Sequence, residues 1–388
     1  MNKLTRSLLV LSTFTLMLSS CDMEHNDDPA SVSSDENSNE FKKEIRDISS
    51  IELVQEMRTG WNLGNTLDVL SYDQDLTVEQ YETYWGNVKT TPEIIKAVSD
   101  AGFNVLRIPV SWEEHLSSDG KYTIDPKWLD RVNEIVDYGL NNDMFVIINT
   151  HHENWIFTDS SHYEQNKDEL TKIWTQIGKR FKNYNEKLLF EGMNEPRQPN
   201  TPTEWIGGDD EGHKYVNELN KVFIDTIRSL GGNNKKRHLL IPTYAASYTE
   251  KAIDALKLPD DDKIIVSIHA YVPYDFTMNK TGTDKWNKDD SYCTADIDNL
   301  MNKLKTAFID KGYPVIIGET GAVNKNNTKD RADWSEYYLH AAKSKGIPCI
   351  WWDNGYFLGN GESFGLFSRD SECWIFKDIL NSILTGTE

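Results

Sequence analysis

Cysteine is scarce in this chain of 388 residues: Cys21, Cys293, Cys349 and Cys373 are the whole supply. That number excludes a disulfide-stapled scaffold, and a chain of this length can bury one large core without staples. Large clusters of lysine and arginine are missing too, and the formal charge is −21. Nucleic acid is thereby excluded as a partner, because its phosphates must be met by grouped cations. An acidic surface suits a neutral ligand. The apolar run Leu8 to Leu18 is shorter than the ~20 residues a membrane-crossing helix needs. No glycine-rich turn follows the first strand-like segment, which removes the phosphate cradle of a doubly wound nucleotide-binding sheet.

What is present begins with an address. Lys3 and Arg6 precede the short apolar run, as in an export signal. The run closes on Leu18-Ser19-Ser20-Cys21, which resembles a bacterial lipobox. Residues 1–20 are therefore expected to be a lipoprotein signal peptide and Cys21 the lipidation site, with an ordinary secreted protein as the alternative. Residues 21–44, rich in Asp, Glu, Ser and Asn, have the composition of a disordered acidic tether. Asp22, Glu24, Asp27 and Asp28 loosely resemble a surface-export signal. The expected location is the outer membrane, with the cell-surface face a further option and the lipid anchor the sole membrane contact. Once Cys21 is acylated, three cysteines remain, enough for one disulfide or for three free thiols.

From residue 45 onward, strand-length apolar runs alternate with longer amphipathic stretches. The strands read Thr59 to Leu63, Val105 to Pro109, Met144 to Thr150, Leu188 to Met193, His238 to Pro242, Ile264 to His269, Val315 to Gly318 and Cys349 to Trp352. Helical patterns lie between and after them, at about 92–101, 126–141, 167–184, 212–230, 251–258, 295–310, 329–345 and 374–384. Eight βα units predict an α/β fold of the (β/α)8 TIM-barrel type, one catalytic domain over 45–388. In such a barrel, functional residues gather at the C-terminal ends of the strands. They do so here: Arg107, His151 and His152, Asn194 and Glu195, His269 and Tyr271, Glu319, and Trp352 with Asp353.

Two of these ends carry the chemistry. Leu188 to Glu195 (LLFEGMNE) and Val315 to Glu319 (VIIGE) each deliver a glutamate at the close of an apolar strand. Two carboxylates suffice to split a glycosidic bond, one protonating the leaving oxygen while the other attacks or stabilises the sugar cation. Twelve Trp and seventeen Tyr are available as platforms for sugar faces, although at least half should sit in the core.

The ordered blocks Gly60 to Leu67, Arg107-Ile108-Pro109, Asn149 to Glu153, Phe190 to Arg197, His269-Ala270-Tyr271, Ile317-Gly318-Glu319 and Trp351 to Gly355 resemble glycoside hydrolase family 5. Glu204 to Gly208, followed by Val216 to Asn220, resembles its subfamily 4. That resemblance implies a retaining endo-β-1,4-glucanase acting on β-glucan polysaccharides such as xyloglucan, mixed-linkage glucan and cellulose derivatives. No cofactor is expected, and a monomer is the default, since oligomeric state leaves no mark in the sequence. It implies Glu195 as acid/base and Glu319 as nucleophile, the first protonated and the second ionised at the outset. Arg107 and Tyr271 would hold Glu319 ionised, and His269 would bond either Glu195 or the sugar. Asn194 would meet the 2-hydroxyl and Trp352 would floor the ring, leaving Trp351 to face the helices. His151 and His152 would hold hydroxyls, and Asn65 would reach the non-reducing side. Trp155, Trp205 and Trp286 are candidates for stacking further along the chain, with the polar segment 273–290 as one wall.

A metal shared by His151 and His152 is not expected, because neighbouring strand residues face opposite ways. Two other readings stand: a β-mannanase or glucomannanase on the same barrel, and a surface glycan-binding lipoprotein without catalysis. Cys21→Ser should release the protein from membranes without changing its activity, as measured by fractionation; continued membrane association would remove the lipoprotein expectation.

Overall fold

Eight parallel strands close on themselves in the computed structural model, which describes residues 41–72, 76–359 and 361–388. They are β1 (Thr59–Leu63), β2 (Val105–Ile108), β3 (Phe145–Asn149), β4 (Leu188–Glu191), β5 (Leu239–Pro242), β6 (Ile264–His269), β7 (Val315–Thr320) and β8 (Cys349–Asp353). Each pairs with its sequence neighbours, and β8 returns to β1 with Thr59 opposite Cys349. The predicted barrel is therefore the observed one, with strand bounds displaced by only a few residues.

The helices are α1 (Ser50–Gln55), α2 (Val78–Glu82), α3 (Pro92–Asp100), α4 (Pro126–Asn141), α5 (Tyr163–Arg180), α6 (Asp210–Ser229), α7 (Glu250–Ala255), α8 (Tyr274–Thr277), α9 (Ser291–Ala307), α10 (Thr328–Lys343) and α11 (Lys377–Gly386). Local chemistry sets their starts. Thr91 and Asp125 cap α3 and α4 through their side chains, with proline in the first turn of each. Sequence periodicity did not reveal α1, α2 or α8, which are too short to show a helical period. Trp374, expected to open the last helix, instead pairs with Phe367 in a two-stranded hairpin.

Alternation along the strands divides the core in two. Outward residues such as Leu106, Val146, Phe190 and Ile317 pack under the helices. Inward residues form a second cluster, in which Val105, Ile147, Leu189, Leu240, Ile265 and Ile316 meet Leu53, Val54 and Met57. Helix α1 and the turn after it thus plug the barrel from below. The inward positions one step further along the strands are polar: Asn62, Arg107, Asn149, Glu191 and Ser267, all fully buried. Their side chains lie between the apolar plug and the open mouth.

The expected signal peptide, the expected lipidation site Cys21 and the expected tether as far as residue 40 lie outside the described residues. The tether was expected to run to residue 44, but the fold begins earlier: Phe41 is buried against Tyr184, and Asn233 donates to the carbonyl of Lys43 at 2.8 Å. Among the described residues no helix is long and apolar enough to cross a membrane. Cys293, Cys349 and Cys373 form no disulfide with one another. Truncating the plug by Leu53→Ala should cost about 2–5 kcal/mol of stability, read by chemical denaturation; an unchanged midpoint would show that the barrel base does not need it.

Candidate active site

Parity explains why Glu319 can face the cleft. On β7, Val315 and Ile317 point outward, so a regular strand would send residue 319 outward as well. Between Ile317 and Thr320 the register with β8 shifts: Ile317 opposes Cys349, whereas Thr320 opposes Trp351. One extra residue is accommodated, a bulge that turns the strand end back toward the mouth. Gly318 sits at this point, where an added Cβ would lie 3.2 Å from Ser267 Oγ and 3.3 Å from His269 Nε2. Glu195 arrives differently, on the loop after β4, where the Asn194 amide donates to Thr150 O at 2.9 Å.

Glu195, His269 and Glu319 each place a ligand-type atom within 4.8 Å of the others. His269 Nδ1 is 2.8 Å from Glu195 Oε1 and 3.6 Å from Glu319 Oε2. Arg107 donates from Nη1 to Glu319 Oε1 at 2.7 Å, and Tyr271 donates its hydroxyl to the other oxygen at 3.2 Å. The remaining guanidinium donors go to Glu191 and Asn62, and from Nη2 to Asn194 Oδ1 at 2.8 Å, with His269 Nε2 3.5 Å from the same nitrogen. Arg107, expected both among the cleft residues at the strand ends and as the cation that holds Glu319 ionised, meets Glu319 but lines neither chamber: it is fully buried behind the carboxylates.

The electrostatics reverse one expectation. Burial pushes the Glu319 carboxyl above its ordinary value, against the pull of His269 and Arg107. Burial acts on Glu195 as well, but the hydrogen bond and charge of His269, with Arg197 behind them, hold it below the usual range. Burial opposes protonation of His269, yet Glu319 and Glu195 together raise its pKa. These directions favour a proton on the imidazole between the carboxyls over one on Glu195. His151 is held neutral by burial, helped by His152 and Arg107.

Two chambers open here, one on both carboxylates and one on Glu195 alone. One, of about 660 Å³, is lined by Glu195, His269, Tyr271, Glu319, Trp352 and Trp205, with Tyr248, Tyr274 and Phe364 around it. The other, of about 590 Å³, runs past His151, His152, Asn194 and Glu195 to Trp85, Tyr72 and Arg197, and shares Trp205. A larger depression of about 1320 Å³ lies between α2 and α4 and holds neither strand-end glutamate. Trp352 lies in the cleft parallel to the His151 ring, at 5.8 Å, while Trp351 turns outward onto Trp334 of α10. Trp205 is 59% exposed, and the Arg197 guanidinium sits 4.4 Å from its ring centre.

Other expected residues are placed elsewhere. Trp286 is buried, with its indole N–H on Cys293 O, and so cannot stack on a ligand; Trp155 donates to Glu153 and packs on the core. Tyr274 and Met278 supply the wall expected of 273–290. Asn65 stays in a left-handed turn after β1 and lines neither chamber. His151 and His152 do not diverge: β3 ends at Asn149, alternation ends with it, and their rings lie 4.4 Å apart beside Asp68. Their Nδ1 atoms already meet Asn149 and Asp68 O. Glu191 was overlooked beside Glu195. Its parity with inward Leu189 was the available signal.

A closed barrel whose strand ends bring two carboxylates this close above an open groove is the arrangement of a glycoside hydrolase. The family model described as Cellulase (glycosyl hydrolase family 5) matches residues 69–358. Over 349 residues the chain is 46% identical to Endoglucanase A of Ruminococcus albus, covering 89% of this chain and 94% of that one. A GH5-4 broad specificity endoglucanase from Ruminococcus champanellensis with bound cellotriose aligns with a TM-score of 0.85 at 42% identity, over 88% of this chain and 99% of that one. A GH5 xyloglucan-specific endo-β-1,4-glucanase from a metagenomic library, in complex with cellotriose, aligns with a TM-score of 0.82 at 42% identity, over 86% and 97%. The chain belongs to glycosyl hydrolase family 5, and its likeness to subfamily 4 structures extends through the whole barrel.

The charge pattern is open to direct observation. NMR of the imidazoles should show His269 charged at pH 6.5 and losing its proton only at higher pH, while His151 stays neutral throughout pH 5–8. A His269 neutral at pH 6 would contradict the arrangement described.

Proposed function

We propose that the chain is a retaining endo-β-1,4-glucanase that cleaves xyloglucan, mixed-linkage glucan and cellulose derivatives, with Glu319 as nucleophile and Glu195 as acid/base. The observation that carries this reading is the spacing: a carboxylate oxygen of each residue lies within 4.8 Å of the other. Retention by double displacement fits carboxyls about 5–5.5 Å apart, whereas inversion needs about 6.5–9.5 Å to admit a water.

In the first step Glu319 attacks the anomeric carbon and the bond to the leaving oxygen breaks. That oxygen takes a proton from Glu195. The proton reaches Glu195 from His269 along the 2.8 Å Nδ1···Oε1 bond, leaving a neutral imidazole. Arg107 and Tyr271 keep Glu319 available as an anion despite its burial. In the second step Glu195 withdraws a proton from water, which attacks the same carbon and frees Glu319. Asn194, held by Arg107, meets the 2-hydroxyl, where hydrogen bonds strengthen in the transition state. Trp352 floors the ring, and His151 and His152 flank it.

Trp205, shared by both chambers, offers a platform for the chain beyond the cleaved bond. The broad specificity of one aligned structure and the xyloglucan specificity of another support a broad β-glucan range. A glucomannan preference would use the same pair with different aromatic walls. The address region supports display of this enzyme by a lipid anchor on Cys21, ahead of an acidic tether.

Glu319→Gln should abolish turnover. Glu195→Ala should cleave only substrates whose leaving groups need no protonation, such as activated aryl glycosides. Reducing-sugar assays on xyloglucan, barley β-glucan, carboxymethyl cellulose and glucomannan, with the product anomer read by NMR, test both substrate and stereochemistry. Equal loss in both variants on an activated aryl glycoside, or an inverted first product, would contradict the proposal.

A further inference from the structure

Arg107 carries a fixed positive charge in a place no water reaches: its residue exposure is 0%. Two carboxylates answer it, Glu319 from Nη1 at 2.7 Å and Glu191 from Nε at 2.8 Å. Under the double-displacement reading these two anions have different histories. When Glu319 bonds to the anomeric carbon, the leaving oxygen departs with the proton from Glu195, and the negative charge on Glu319 is consumed. Glu191 is also fully buried and faces no chamber, so it takes no part in bond making. Donors from three strands fix its carboxylate: Arg107 on β2, Asn149 on β3 at 3.0 Å, and Ser267 on β6 at 2.5 Å.

We propose that Glu191 is the permanent counterion of Arg107, a positioning residue that keeps the guanidinium compensated while Glu319 is esterified. The inference rests on the covalent reading above. Without Glu191, formation of the glycosyl ester would leave a buried cation with no anion beside it, which opposes the first step. With it, the charge of Arg107 is shared before the reaction and still met after it. Anchoring at Nε also aims the two outer nitrogens, one at Glu319 and the other at Asn194 Oδ1. One carboxylate on β4 thus governs both the nucleophile and the group that meets the 2-hydroxyl.

The test is Glu191→Gln, which keeps the shape and removes the charge, assayed on an aryl β-cellobioside with a good leaving group and checked for folding by circular dichroism. Pre-steady-state release of the phenol should show a burst in the wild type. In the variant the glycosylation rate should fall about tenfold or more and the burst should vanish. The acid limb of kcat/KM should move down by about half a pH unit or more, because Arg107 then acts on Glu319 alone. Glu191→Asp, which restores the charge, should keep the burst and the acid limb even at reduced turnover, and it decides the matter if the glutamine variant does not fold. A folded Glu191→Gln enzyme with wild-type burst and limb would overturn the proposal, as would a limb in Glu191→Asp that is displaced from its wild-type position. If the wild type itself shows no burst and traps no 2-fluoroglycosyl ester, the covalent reading falls, and this inference with it.

Discussion

A guanidinium buried at the mouth of the barrel organises everything around it. Arg107 binds Glu191, Asn62, Glu319 and Asn194 at once, joining β1, β2, β4 and β7 through side chains rather than through the sheet. A buried ion pair is a poor source of net stability, since desolvation offsets its attraction, but removing one partner costs about 3–5 kcal/mol. Such a centre is better understood as a device for holding geometry. It fixes where a carboxylate sits and how strongly it keeps its charge.

The layers of the barrel make that device possible. Below it, Leu53, Val54 and Met57 close an apolar floor that excludes water from the inward strand residues. Above it, the bulge in β7 redirects Glu319, and His269 spans the two acids. The imidazole lies where it can answer both buried carboxyls, and their charges raise its affinity for a proton.

Much of this was legible in the string of residues, for identifiable reasons. Strand-length apolar runs separated by amphipathic stretches gave the eight strands to within a couple of residues and the long helices to within about one turn, and polar side chains at strand ends marked the cleft. Glu191 was equally legible by parity with Leu189, yet adjacent Glu195 drew the attention. Other features had no signal. The bulge at Gly318 depends on register between strands that are distant in sequence. Trp286 and Trp155 occupy loops, where composition does not separate a buried indole from an exposed one. The direction of the acid shifts depends on 2.8 Å against 3.6 Å from one imidazole nitrogen, a difference that exists only after folding. The paired histidines escape alternation because β3 stops at Asn149, before either of them.

The central claim is that Glu319 forms a covalent bond with sugar while Glu195 manages the proton. Incubation with a 2-deoxy-2-fluoro cellobiosyl donor bearing a good leaving group, followed by proteolysis and mass spectrometry, addresses it most directly. The account predicts one glycosyl adduct, carried by the peptide that contains Glu319. An adduct on Glu195, or inactivation-free turnover with no adduct at all, would contradict it.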